Sequence, residues 1–323
     1  MHSLLQHPYL TYTFLVSSAL AVLVAILVRV VPPRSVQRSW VYAIPVVVPV
    51  VSYVVNYVII GKACEYSQSD YGYIGFLRGF PSYHLLCRFN RMIAPWVAQL
   101  SLAWLAVSLS AHALAWWRRV RLQRCLLSAA RDDARAKAVL DNLCEELDIR
   151  LPELRVIDYP GPLMFAGGTR DRVITVSTGA LDLLEDNELR AAFAHELAHI
   201  RRSRNIINRL VPLCRNLTLF SPAALWSYEM FRAEEEQACD AMAAAQTGLG
   251  VELASAIVKF MYHATRLRLE HSVASLVPVL LPRGNPAIVR VRRLLDGPDS
   301  VNGLASWIYS LLFLLAVGMV FVC

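Results

Sequence analysis

Four stretches of this chain are almost uniformly apolar, and one long stretch between the third and the fourth is patterned. Residues 11–31, TYTFLVSSALAVLVAILVRVV, are apolar for about the 20 residues that a membrane-spanning helix needs. Arg29 interrupts them only near the end, where a long side chain can reach the interface. The segment has no basic leader and no A-x-A cleavage site, so it reads as a retained helix and not as a signal peptide. Residues 41–60 form a second run, whose Pro45 and Pro49 are tolerable in a membrane helix. Residues 93–117 form a third, with Trp96, Trp116 and Trp117 as interfacial anchors. Residues 304–323 form a fourth. The expected organisation is a membrane domain over 1–117 with three transmembrane helices and an external loop at 61–92. A soluble domain over 118–303 and a fourth transmembrane helix over 304–323 complete it.

The 118–303 stretch is charged, periodic and long enough for one folded domain. Residues 120–149 place apolar positions at helical spacing and read as a helical connector. ELRVIDYPGPLMFAGGTRDRVITVSTGAL, residues 153–181, reads as strands separated by Gly/Pro turns. From Asp186 onward the spacing is helical again, with Asp186 as the N-cap and Glu188 in the first turn. Residues 210–226 are apolar enough to lie on or dip into a bilayer, but Arg215 interrupts them, so they read as a buried or interfacial segment. The fold class that follows is a mostly α membrane protein: four transmembrane helices plus an α+β domain.

Composition agrees with this division. Hydrophobic residues make up 56% of the chain and charged residues 18%, against about 45–50% and 25% in soluble domains. The net charge of +7 reads as loop charge that sets orientation, and no nucleic-acid partner is expected. Arg34 and Arg38 lie between the first two runs, and Arg118, Arg119, Arg121 and Arg124 follow the third. The positive-inside rule makes both places cytoplasmic, with both termini and loop 61–92 external, although Lys62, Arg78, Arg88 and Arg91 temper the bias. The seven cysteines form no C-x-x-C pair. Cys64 and Cys87 share the external loop, where an oxidising exterior permits a disulfide that the sequence cannot assign. Cys125, Cys144, Cys214 and Cys239 fall on the reducing side and read as small core residues.

The chemistry is concentrated in AAFAHELAHIRRSR, residues 191–204, where His195, Glu196 and His199 stand in the order H-E-x-x-H. Residues four apart share a helix face, so both imidazoles can reach one ion while Glu196 reaches a water beside it. Zinc lowers the pKa of such a water to about 7, and Glu196 would carry its proton to the leaving amine of a cleaved peptide. A third ligand is required. RAEEEQACDAMAA, residues 232–244, offers Glu236 with Asp240 four residues on. Glu236 could face the zinc while Asp240 holds a ligand histidine and fixes its tautomer. On spacing alone Glu234 and Glu235 compete for the role, and taken by itself the acidic run reads as a solvated helix face. His84, His263 and His271 read as structural or loop histidines.

ELRAAFAHELAHIRRSRN, followed by FRAEEEQACDAM, resembles the BlaR/MecR-type membrane metallopeptidases. It is also similar to the HtpX and CAAX-protease family, which shares the zincin core. The motifs cover about 150–295, and the order of three apolar runs, domain and fourth run matches the BlaR/MecR arrangement. The resemblance implies a gluzincin-like domain with Zn2+ held by His195, His199 and Glu236, Glu196 as base and Asp240 behind a histidine. It implies that the strand near Val173–Val176 pairs with an extended substrate. NPAIVRVRRLL, residues 285–295, is similar to the family's late helix and makes Arg290 a candidate for stabilising the oxyanion.

Two departures matter. Arg204 stands where the family often has an acidic residue. The sequence reaches Cys323 with the fourth run, so no penicillin-binding sensor is expected in this polypeptide. Sensing would fall to loop 61–92, the bilayer, a sensor partner or a homo-oligomer. The leading expectation is a zinc endopeptidase of a bacterial inner membrane that cuts a regulatory protein at the cytoplasmic face. The alternatives are an HtpX-like quality-control protease and a non-catalytic receptor or scaffold, and a scaffold has no need of Glu196.

Overall fold

Helical and strand periodicities separate in the computed structural model as they do along the sequence. It describes residues 9–30, 35–55, 130–167, 172–202, 206–270 and 286–296, with scattered positions between 96 and 117. Two apolar helices come first, α1 (Tyr9–Val30) and α2 (Ser35–Tyr53). Strand β1 (Ala130–Arg131), helix α3 (Ala134–Glu146) and strands β2 (Glu153–Ile157), β3 (Met164–Gly167) and β4 (Val173–Ser177) follow. Helices α4 (Thr178–Leu183), α5 (Asp186–Arg202), α6 (Ile206–Leu217), α7 (Pro222–Thr247), α8 (Gly250–Glu270) and α9 (Pro286–Asp296) complete the described fold. The helical connector is therefore shorter than its spacing predicts: β1 precedes it, and Asp133 caps α3 by accepting from the Ala136 amide at 2.7 Å.

The four strands form one sheet in the order β1-β2-β4-β3. β2 and β4 are parallel, with Glu153 opposite Val173 and Ile157 opposite Ser177. β3 runs antiparallel to β4, with Met164 opposite Val176 and Gly167 opposite Val173. All five β4 residues are buried, as the unbroken run VITVS requires of a strand covered on both faces. Both β4 edges are already paired, so the Val173–Val176 strand is not the one that meets an extended substrate. The outer strands of the sheet are β1 and β3. At the end of β4 the chain turns directly into α4, and Gly179 is needed there: a Cβ would lie 2.1 Å from the Pro160 carbonyl oxygen.

Among the described residues two larger cores hold the fold, beside a smaller cluster of Tyr9 and Tyr53. The first joins sheet and helices through Leu140 and Leu143 of α3, Ile174 and Val176 of β4, Leu189 and Phe193 of α5, Ala243 of α7 and Leu253 of α8. The second joins α1 and α2 to α6 and α7 through Val24, Val41, Val46, Val50, Val211, Cys214 and Phe231. The apolar stretch 210–226 is thus a helix, a turn and the start of α7, packed against the first two helices. Polar bonds pin it there. Ser17 and Ser221 share a hydrogen bond of 2.7 Å, and Tyr9 Oη and Trp104 Nε1 each donate to the Leu217 carbonyl at 3.3 Å. Ser221 also caps α7, which Pro222 opens and the left-handed Gly248 closes.

Among the described residues no helix is long and apolar enough to cross a membrane. The side chains described along α1 run from Thr13 to Arg29, beside Tyr9. Most of the 93–117 run, all of 304–323 and the Cys64–Cys87 pair lie outside the described residues.

Candidate metal centre

Helix α5 carries the motif, and a bond network at its start fixes it. Glu188 reaches back to accept from the Glu185 amide at 2.9 Å, so Glu185 occupies the capping position, one residue before the Asp186 that the spacing predicts. Asp186 pairs instead with Arg135 of α3 at 2.7 Å. The Glu188 carboxylate also accepts from Lys259 and Ser255 of α8, each at 2.6 Å. Burial by itself would raise the Glu188 pKa, but these donors outweigh it and hold the carboxyl below its ordinary value.

From this anchored start, His195 and His199 emerge one turn apart on the same face. Their Nε2 atoms are 3.0 Å apart. Glu236 of α7 closes the triangle, 3.7 Å from the Nε2 of His195 and 3.6 Å from that of His199. A tetrahedral zinc with bonds of about 2.0–2.1 Å separates its donors by roughly 3.3 Å, so the three residues fit such an ion. Among the described residues they are the one group of histidine, cysteine and acidic side chains close enough to share a metal.

Helix α7 gives its three consecutive glutamates different neighbours. Successive helix residues point about 100° apart, and each glutamate meets a different neighbour. Glu234 pairs with Arg293 of α9 at 3.3 Å. Glu235 takes Arg202 at the end of α5, with Nε at 3.0 Å, and accepts from Asn208 at 2.7 Å. Arg202 reaches Ser39 of α2 at 3.4 Å as well. Only Glu236 faces the histidines.

One turn further along α7, Asp240 lies behind the first histidine. Its Oδ1 is 2.9 Å from the Nδ1 of His195, a close ionic contact more than an aligned hydrogen bond, since Nδ1 has no partner of good angle. Arg290 of α9 grips the same carboxylate with two bonds of 2.7 Å and places its third nitrogen 3.0 Å from Glu236. The Arg290 guanidinium, the oxyanion candidate, is thus engaged by two carboxylates. Burial works to lower the His195 pKa, but Asp240 outweighs it and raises the ring above its ordinary value. His199 lacks such a carboxylate; burial and the neighbouring His195 push it down to about 4. Neutral, it is a ready ligand.

Glu196 stands next to His195 on α5 and turns toward β3. Its Oε2 accepts from the Ala166 amide of β3 at 2.6 Å. Burial raises its pKa above the ordinary carboxylate value, in the direction a general base needs. Two features escape the sequence pattern. One is the bond from the edge strand to Glu196, which involves a backbone group that no motif marks. The other is Cys239, buried as its composition suggests, whose Sγ lies 3.4 Å from the Nδ1 of His199. Its place three residues after Glu236 was the available signal. His263 sits by Tyr262 on α8 and has no part in the group.

Comparison with known proteins points to proteases. The chain is 33% identical to a protease HtpX homolog of Bacteroides fragilis over 73 residues, 22% of this chain and 23% of the relative. It is 31% identical to one of Tropheryma whipplei over 83 residues, 24% of this chain and 28% of the relative. It is 35% identical to one of Methanothermobacter thermautotrophicus over 79 residues, 24% of this chain and 31% of the relative. The aligned stretch thus spans about a quarter of the length of these curated relatives. A broader match covers residues 90–266, just over half of the 323-residue chain, and takes in the H-E-x-x-H helix and the Glu236–Asp240 helix together. On that match, the chain belongs to the BlaR1 peptidase M56 family.

Proposed function

We propose that this protein is an integral-membrane zinc endopeptidase that cleaves a protein substrate near the cytoplasmic membrane face. The observation that carries the reading is the convergence of His195, His199 and Glu236 within 4.8 Å of one another. In this reading the two histidines offer Nε2 and Glu236 offers a carboxylate oxygen to Zn2+. Zinc held there supplies a Lewis acid and an acidified water. Asp240 keeps the proton of His195 on Nδ1, so that Nε2 keeps its lone pair. Arg290 positions both Asp240 and Glu236. Glu196 takes a proton from the attacking water and delivers it to the leaving amine nitrogen. An extended substrate adds to the edge of β3, and the Ala166–Glu196 bond sets that edge beside the base.

Membrane placement is supported by the sequence runs and by what α1 exposes. Phe14, Leu15, Val22, Leu23 and Ile26 are exposed along α1. That surface suits hydrocarbon. Regulatory cleavage of a repressor or signalling protein is the leading role. A quality-control role is the second reading, favoured by the similarity to the HtpX homologs. The test is to compare cleaved protein termini in cells carrying wild type and Glu196→Gln. The variant should keep its zinc and lose at least about 100-fold in proteolysis, because an amide cannot accept the water's proton. Activity near wild type would sink the mechanism. Termini mapping to one regulator favour the first role, and termini spread over many membrane proteins favour the second.

A further inference from the structure

We infer that Cys239 is a positioning residue for His199: its sulfur receives the Nδ1–H of that ring and fixes the tautomer in which Nε2 faces the metal centre. This rests on the zinc reading above. The Nε2 of His199 lies 3.0 Å from the Nε2 of His195 and 3.6 Å from Glu236, so it must offer a lone pair there. A neutral imidazole carries one proton, which then belongs on Nδ1. The Cys239 sulfur, 3.4 Å away, is in place to receive it. Cys239 is fully buried.

The arrangement makes α7 a three-point template. Glu236, Cys239 and Asp240 stand at i, i+3 and i+4, the spacing that shares one helix face. They address the metal centre, His199 and His195 in turn. The two histidines are held unequally. His195 has a charged acceptor at 2.9 Å and a side chain only 9% exposed, whereas His199 has a sulfur at 3.4 Å and is 32% exposed. A thiol sulfur is a weak acceptor, so His199 is the more loosely set ligand.

The experiment uses the full-length protein in detergent, with Cys239→Ala and Cys239→Ser beside wild type. Zinc affinity is read by competition with a chromophoric chelator, coordination by the visible spectrum of the Co2+-substituted protein, and fold by the melt of the metal-free protein. Cys239→Ala should bind zinc about 10–100-fold more weakly, the usual effect of losing a group that orients a ligand. Cys239→Ser, which restores an acceptor, should lie between the two. Should the alanine variant fail to fold, the serine variant carries the test: its zinc affinity must still fall below wild type, because its shorter side chain brings oxygen less near Nδ1. Wild-type zinc affinity in a folded variant, whatever its melting temperature, would overturn the inference while leaving the zinc reading intact. A sulfur-to-cobalt charge-transfer band that disappears in Cys239→Ala would also overturn it, by making Cys239 a direct ligand. Absence of zinc binding in wild type would overturn both readings.

Discussion

Replacing Asp240 by Asn changes one charge and almost no volume, and the consequences can be followed atom by atom. The carboxylate is nearly fully buried and faces three nitrogens: the Nδ1 of His195 at 2.9 Å, and two Arg290 nitrogens that donate to it at 2.7 Å. An amide can present its oxygen on only one side. If the oxygen stays toward His195, the NH2 group meets the Nε of Arg290, donor against donor. If the NH2 group turns toward His195, the ring must move its proton to Nε2, the atom aimed at the metal. Either way Arg290 keeps a buried charge with part of its partner gone. Loss of a group that orients a ligand lowers metal affinity about 10–100-fold, or roughly 1.4–2.8 kcal/mol at a tenfold change per 1.4 kcal/mol. Breaking one side of a buried ion pair costs about 3–5 kcal/mol of stability; Glu236, 3.0 Å from Arg290, retains part of it. The expected outcome is a zinc dissociation constant raised at least tenfold by chelator competition, and a lower melting temperature with or without zinc. A variant that binds zinc within twofold of wild type would show that Asp240 does not set the His195 tautomer.

Glu236→Ala should lose stoichiometric zinc, whereas Glu234→Ala and Glu235→Ala should keep it by metal analysis; Glu235→Ala should still melt lower, because it strips the buried Arg202 of its partner. Retention of zinc by Glu236→Ala with loss in either neighbour would reassign the ligand. Glu188 has its pKa held below the unfolded value of about 4.3, so its stabilisation is present above that pH and fades as pH falls through the folded value. Glu188→Gln should therefore lower stability by about 1.5–3 kcal/mol at neutral pH, and denaturant titrations should show the gap to wild type closing below about pH 4. A gap independent of pH would refute the linkage. With Cys64 and Cys87 replaced by serine, a cysteine placed at the exposed Glu145 of α3 should react with an impermeant maleimide only after the cells are opened; labelling of it in intact cells would put the protease domain outside.

The sequence by itself determined whatever depends on spacing within one element. His195 and His199 share a face because the helical repeat puts them there, and the Gly/Pro turns of residues 153–181 mark off short strands. The offset from Glu236 to Asp240 likewise anticipates a pair that acts together. Tertiary structure decided what depends on how distant elements meet. The three glutamates of α7 are equivalent in spacing, and the rotation of that helix against α5 and α9 gives each its own partner: Arg293, Arg202 or the histidines. Arg290 sits fifty residues beyond Asp240, and only the packing of α9 turns it onto that carboxylate. The edge strand was equally hidden. Both β3 and β4 are short apolar runs, and which of them stays open is fixed by β2 pairing with β4 from twenty residues away. Residues 210–226 read as apolar, but their burial against α1 and α2 rests on distant contacts, such as Ser17 with Ser221 across 204 residues. Local backbone geometry repeats whatever surrounds it, whereas a packing angle between two helices depends on every side chain at their contact.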